Sequence, residues 1–460
     1  MAEQKRYLLK RSTLIKVFLF VIAILCLSFL RPLLFPLLWI LFIGVAISFR
    51  ARFGAPILLL ISGIILTTAV SIFYTGEFNL SNNLLSLFFL LPPILIFFSR
   101  PQIHDTSLRS YFDSFIYGIT ALLIANNCIG FVQHFLHPES DDSFIGFYGT
   151  HGLGLHTLSM VNFLIGMYHF FNYQQTKNKK HLLIFLFFVL SAIFCFYGLG
   201  LIVFFLSIIV YNLSLRNFIK TILIGFLSFC LLATSLYFFR HQTFVYNYEN
   251  IQKAQSFFQE DLPPKYASNV PRKLILYRNY VRGFGKDAML FLFGSGPGTF
   301  NSRSYFLLNG DYSKSKFIET LLGKHEPKYA AQYVHVLWNS EDTSQQKYTD
   351  GTRNEPFSSF IALLAEYGAV IFFFLLILTL KRYKYITQSL IQLSAADTKA
   401  ITYGKFVKFS TIYIGISLLA DNYLEYPEIM LIYVLSILLI TIYVQSQSHR
   451  PIINENTSNP

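Results

Sequence analysis

Apolar residues in this chain fall in long continuous runs rather than in alternation with polar ones. After a basic start, a first run ends near Leu30, and others follow at roughly 32–49, 55–74, 83–98, 114–132, 152–171, 181–197, 199–213, 218–239, 357–380, 404–420 and 427–444. Most reach or approach the ~20 residues a helix needs to cross a hydrocarbon core about 30 Å thick. The pattern predicts an all-α polytopic membrane protein with about twelve transmembrane helices and one large extracytoplasmic loop. The chain divides into an N-terminal bundle of about nine helices (1–239), a loop domain (240–356), about three C-terminal helices (357–448) and a polar, disordered tail (449–460).

Two points of topology need the flanking residues. The first run follows Lys5, Arg6, Lys10, Arg11 and Lys16 but ends without a small-x-small cleavage site, which favours an uncleaved helix over a signal peptide. Runs 181–197 and 199–213 meet at Tyr197-Gly198-Leu199-Gly200 and read as a tight helical hairpin, with a single tilted helix as the alternative. With the N-terminus inside, 21 Lys and Arg fall in cytoplasmic segments and Arg31 alone in the short outer loops. Those outer loops carry Glu77, Glu139, Asp141, Asp142, Asp421, Glu425 and Glu428. The split obeys the positive-inside rule and puts the long loop outside, with both termini cytoplasmic.

Composition adds exclusions. Charged residues are 13% of the chain against 54% apolar. The net charge of +13 follows from topology, so no nucleic-acid partner is implied. Cys26, Cys128, Cys195 and Cys230 all lie in apolar runs without a CxxC pair, and no HExxH-type spacing occurs, so no metal is expected.

Candidate chemistry gathers around the long loop. Residues 271–292, PRKLILYRNYVRGFGKDAMLFL, set Leu274, Tyr277, Val281, Phe284, Ala288 and Phe291 on one helical stripe, with Arg278, Arg282 and Lys286 as a cationic row beside it. Gly283 and Gly285 are candidate breaks midway along it. Such a row suits either lipid headgroups or a lipid-linked pyrophosphate, whose oxygens a guanidinium fork binds two at a time. The turn GSGPGTFNSR follows, with Gly294, Gly296 and Gly298 ahead of Arg303; it is either a structural turn or a cradle of backbone N–H groups for an anion. In the apolar helix closing the loop, Ser359 and Glu366 share a face, and Glu366 serves either chemistry or structural capping. His335 is the best acid/base candidate among the outer histidines, and His151 lies where the chain re-enters the membrane.

The order of these features resembles the O-antigen ligase and polysaccharide polymerase superfamily of bacterial envelope glycosyltransferases. The likeness rests on about twelve spans, a large late loop, a basic segment before Gly294-x-Gly296-x-Gly298-x-Phe300, a helix bearing Glu366-x-Gly368, and an acidic turn, Asp421 to Glu425, before Pro427. It implies a GT-C-like, inverting, metal- and cofactor-independent transfer of a glycan from undecaprenyl pyrophosphate to a sugar hydroxyl. Arg278 or Arg282 would match the family's loop arginine, with Arg303 assisting and Glu366 or His335 handling the acceptor proton. Membrane lipids, a flippase and a chain-length regulator would be partners. Ligases generally carry a His-Asn pair where this chain has Phe357 and Ser358, and the family often has Arg where Leu199 stands. These departures favour a repeat-unit polymerase over a ligase acting on lipid A-core. A polysaccharide or lipid-linked sugar transporter is the reading from another class.

Overall fold

The computed structural model describes residues 2–102, 110–137, 143–149, 154–195, 197–213, 272–309, 326–334, 337, 358–395 and 397–448, with scattered positions between 223 and 249. Among these residues the protein is helical, with no strand beyond one isolated bridge. Eight of the described helices precede the loop: α1 (Ala2–Cys26), α2 (Leu34–Ser48), α3 (Ala55–Thr75), α4 (Leu80–Phe98), α5 (Tyr111–Leu136), α6 (Leu155–Thr176), α7 (Lys179–Phe194) and α8 (Gly198–Asn212). The loop contributes α9 (Arg272–Gly283), α10 (Ala288–Phe293), α11 (Arg303–Asn309) and α12 (Lys328–Tyr333). The chain then closes with α13 (Ser359–Leu393), α14 (Thr398–Ala420) and α15 (Pro427–Ser448). Among the described residues, six helices are long and apolar enough to cross a membrane: Arg31–Ser48, Ala55–Thr75, Leu80–Phe98, Tyr111–Leu136, Ser359–Leu393 and Pro427–Gln447. The expected span at 218–239 and the tail at 449–460 lie largely or wholly outside the described residues.

α15 is the axis of the bundle. It is apolar all round, so every face must find a neighbour. It packs on α1, α2, α4, α5, α6, α13 and α14, and nearly all its side chains are buried. Outer helices show the reverse. α3 turns Leu58, Leu59, Ile65 and Leu66 outward, leaving an apolar exterior of the kind that hydrocarbon solvates.

The helix ends sort into two groups. At one end lie Arg31, Tyr148, Gly154, Tyr197, Ser359 and the Asp421–Glu428 turn, joined by contacts such as Phe29 N–H to the Phe147 carbonyl (2.8 Å) and Ser359 N–H to the Asp421 carbonyl (3.2 Å). At the other lie Arg52 and Arg100, whose backbones pair, together with Asp113, Arg382 and Lys399. The chain reverses between α7 and α8, as in the expected hairpin, with α7 packed on α6 and α8 on α14 and α6. His181 at the start of α7 stacks on His169, and Tyr211 at the end of α8 meets Phe171, both near the C-terminus of α6, while Tyr197 between them reaches Asp421 at the opposite end.

The loop has its own small core. Ile275, Leu276, Tyr280, Phe284, Leu290, Phe300 and Val334 pack with Ile361 and Ala365 of α13, which seats the loop on the bundle. The expected apolar stripe is out of phase here: Val281 is 63% exposed, whereas Ile275, Leu276 and Tyr280 are buried. The reason is a break. α9 stops at Gly283, a short 3-10 turn (Phe284–Lys286) follows, and Asp287 caps α10 by accepting the N–H groups of Met289 (3.0 Å) and Leu290 (3.2 Å). Fitting one helical period across this junction rotates the inferred face.

Asp113 ties three helices, α5, α6 and α14, at the far end. Its Oδ1 accepts the hydroxyls of Tyr403 (2.6 Å) and Tyr168 (3.2 Å), and its Oδ2 meets Lys399 Nζ at 2.6 Å, while Tyr443 of α15 packs edge-on against Tyr403. Asp113→Ala strands two tyrosine hydroxyls in a largely buried setting and is expected to cost about 1–3 kcal/mol. A drop in the thermal unfolding midpoint of the purified protein in detergent, smaller for Asp113→Asn, checks this.

Candidate functional site

The site begins where α13 breaks. Gly368 has φ 74° and ψ 168°, outside helical geometry, and a Cβ there would overlap the Leu292 carbonyl. A break of this kind interrupts the i to i+4 ladder and frees carbonyls that must find other donors in a buried place. The glycine-rich turn supplies them. Ser295 N–H donates to the Ala365 carbonyl at 2.7 Å and Gly296 N–H to the Glu366 carbonyl at 3.0 Å. Gly294 permits the approach, because a Cβ on it would lie 2.5 Å from the Glu366 carbonyl oxygen.

The Glu366 side chain returns the interaction. Its Oε2 accepts Gly298 N–H (2.6 Å), and its Oε1 accepts the N–H groups of Phe300 (3.1 Å), Asn301 (3.0 Å) and Ser302 (2.9 Å). Gly294, Gly296 and Gly298 all have positive φ, the conformation that lets successive amides converge on one anion. The turn is therefore an anion cradle, and the anion it holds is the chain's own carboxylate. Burying a carboxylate costs several kcal/mol, which hydrogen bonds to the charged group, each worth about 1.5–3 kcal/mol, can offset. With the Gly298 amide given to Glu366, the Gly296 amide to a carbonyl of α13 and the Gly294 amide to Leu290, these glycines shape the site rather than grip a ligand through their N–H groups.

Arg303 follows the cradle directly. Its guanidinium lies between the rings of Phe35 (4.2 Å) and Tyr426 (4.3 Å), and its Nη1 has no hydrogen-bond acceptor among the described residues. Two aromatic rings thus lie against the guanidinium while one of its donors is buried unmatched, a donor that favours an oxyanion partner. Its backbone N–H donates to Glu425 Oε2 at 2.5 Å, and Asn422 Nδ2 donates to the same oxygen at 2.7 Å. Burial, and next the charge of Glu366, push the Glu425 carboxyl up from its ordinary value.

Around this centre the helix ends supply further polar and aromatic groups. Asp421 pairs with Lys273 at the start of α9 and accepts the Tyr197 hydroxyl at 2.5 Å. Tyr277 donates to Ser358 Oγ (2.7 Å), and Ser359 Oγ donates to Asn422 Oδ1 (2.9 Å). The His156 ring packs among Tyr197, Tyr423 and Tyr426. Arg31 stacks on Tyr148 at 4.0 Å and lies 3.6 Å from Glu428 Oε1. Arg278 is half-buried and Arg282 exposed; burial, then the neighbouring Arg282 charge, lower the Arg278 pKa.

Of the residues singled out from sequence, Gly294, Gly296, Gly298, Arg303, Ser359 and Glu366 come together at this end of the bundle. Arg278 and Arg282 lie on α9, whose Lys273 and Tyr277 contact Asp421 and the Leu419 carbonyl at the neighbouring end of α14. His335 and His151 lie outside the described residues. Arg31, Lys273 and Tyr197 were not among the expected site residues. Arg31 did carry a signal, as the one Lys or Arg in the short loops expected on that side. Among the described residues no group of three His, Cys, Asp or Glu side chains could hold a metal. Neither the protein-family models nor the curated proteins searched match this chain, so the functional reading rests on its residues and their arrangement.

Two outcomes follow from this geometry. Glu366→Gln puts an amide NH2 against converging N–H donors and is expected to destabilise by about 3–5 kcal/mol, lowering the unfolding midpoint as well as any activity. A variant of native stability that had lost only activity would instead make Glu366 a proton-transfer group. For Glu425, a raised folded pKa means that the folded state binds the proton more tightly than the unfolded state does. Stability should therefore fall as pH rises between the ordinary 4.5 and about 8, and Glu425→Gln should flatten that slope in midpoint-versus-pH measurements.

Proposed function

We propose that this protein is an inverting membrane glycosyltransferase that polymerises undecaprenyl-pyrophosphate-linked oligosaccharide repeat units, for O-antigen, capsule or exopolysaccharide, on the outer face of the bacterial inner membrane. In this reading the chain has about twelve spans in a GT-C-like arrangement, both termini are cytoplasmic, and the Arg31 end faces outward. The observation that carries it is Arg303, a guanidinium set against two aromatic rings at the bundle end with one buried N–H donor that meets no acceptor among the described residues. The cationic helix bearing Lys273, Arg278 and Arg282 adds support, as does the scarcity of other cations in the short loops assigned to that side.

The acceptor hydroxyl oxygen attacks the anomeric carbon of the donor, and the bond to the pyrophosphate breaks with its electron pair leaving on the carrier. Arg278, Arg282 and Arg303 meet the growing phosphate charge, the stage at which fixed cations accelerate such a reaction most. Glu366, with both carboxylate oxygens engaged by amides, acts as organiser of the turn rather than as base. His335 remains the candidate for accepting the hydroxyl proton.

Arg278→Ala and Arg282→Ala are each expected to shorten or abolish surface polymer at normal protein levels, with turnover falling on the order of 10²-fold. Unchanged polymer in both single variants and in the double variant would remove these residues from the site. Gene deletion separates the two transferase readings. Loss of a polymerase leaves a single repeat unit on the final acceptor, whereas loss of a ligase leaves unligated polymer on the carrier.

A further inference from the structure

The opposite end of the bundle holds a second feature that glycosyl transfer does not use. A cavity of about 400 Å³ lies between the start of α3, the end of α4, the middle of α13 and the end of α15. Arg100, Lys381 and Arg382 line it, and no carboxylate does among the described residues. Arg382 is fixed by its Nη2, which donates to the Ser99 carbonyl (3.2 Å) and Thr441 Oγ1 (3.1 Å). Its Nε is buried with no acceptor among the described residues. A guanidinium keeps its charge in such a place and favours an oxyanion partner. The rim is held in shape by the paired backbones of Arg52 and Arg100, with N···O distances of 2.9 and 3.0 Å.

The rest of the lining is largely apolar and includes Pro56, Ile57, Phe98 and Leu378. A free inorganic anion has no use for that surface, whereas an amphipathic molecule does. The neighbours of these residues, Leu58 and Leu59 on α3 and Ile377 and Leu380 on α13, are exposed apolar side chains, so hydrocarbon reaches the cavity's flanks. Basic pockets between helices at a membrane surface recognise anionic headgroups through this combination. We propose that this cavity binds the phosphate of an anionic membrane phospholipid, with Arg382, Arg100 and Lys381 around the phosphate and the glycerol and upper acyl carbons against Ile57, Phe98 and Leu378. The inference is independent of the transferase reading.

The test uses the full chain purified in a neutral detergent, with retained lipid counted by native mass spectrometry across a titration. Dioleoylphosphatidylglycerol is expected to be retained on the order of tenfold or more tightly than dioleoylphosphatidylcholine. The double variant Arg100→Gln/Lys381→Gln alters exposed side chains and should lose most of that preference with its unfolding midpoint unchanged. Arg382→Gln should lose at least as much; if it fails to fold, the double variant decides. Equal retention of the two lipids by the wild-type protein, or an undiminished preference in the double variant, overturns the proposal. Displacement of the lipid by inorganic phosphate at the same concentration assigns the cavity to a soluble phosphate and overturns the lipid as its occupant.

Discussion

The Glu366 carboxylate inside the 298–302 turn is the interaction on which the rest of this end of the molecule depends. It joins two segments 64 to 68 residues apart in sequence, and the joining is reciprocal. The turn's first amides satisfy carbonyls freed by the break at Gly368, and the side chain satisfies the later amides. Each half satisfies polar groups of the other. Without the turn, a broken apolar helix exposes backbone carbonyls in a place where water cannot reach them; without Glu366, four amides converge on nothing. Arg303 inherits its position from this lock, since it continues directly from Ser302 and its own N–H is taken up by Glu425.

Among the described residues, four buried carboxylates gather at this end, and each is met by different chemistry. Glu366 has amides, Asp421 has Lys273 and a tyrosine hydroxyl, Glu425 has an amide N–H and Asn422, and Glu428 lies beside Arg31. Buried carboxyl groups without such partners would cost more than a fold of marginal stability can carry. The pairings also explain which cations are engaged. Lys273 and Arg31 are tied to carboxylates, whereas the Arg303 guanidinium is held by aromatic faces that leave its full charge uncompensated by contact. A cation held by rings can therefore attract a second anion, which one already in an ion pair does less well.

The helical architecture was legible because it follows from local composition: the runs at 55–74 and 427–444 became α3 and α15 with ends shifted by a few residues at most. The glycine turn and the Glu-x-Gly motif were each visible, and so was the chemistry of an anion cradle. Their union was not, because no local pattern reveals that the anion is supplied by residue 366. The phase error along 271–292 has a similar origin. Gly283 and Gly285 marked a break, but the rotation it introduces is set by the packing of Leu276, Tyr280 and Phe284 in the loop core, which is a tertiary fact. Arg31 is the reverse case, since its isolation in the short loops expected on that side was in plain view and its stacking on Tyr148 gives that isolation a structural meaning.

A carboxylate used as a fastener has a consequence for any chemistry at this end. Rigid placement of donors before charge develops is what makes an electrostatic site effective, because no reorganisation is needed at the moment of reaction. Here rigidity comes from a motif whose residues resemble catalytic ones: a glutamate, three glycines and an arginine. Within that motif, the arginine is the residue left with a donor that meets no acceptor among the described residues. The glutamate fixes the turn, the glycines allow the backbone to close on it, and Phe35 and Tyr426 fix the plane of the guanidinium. In the proposed transferase the acidic residue would thus act at one remove, by holding a cation still, and the proton would travel through a different group.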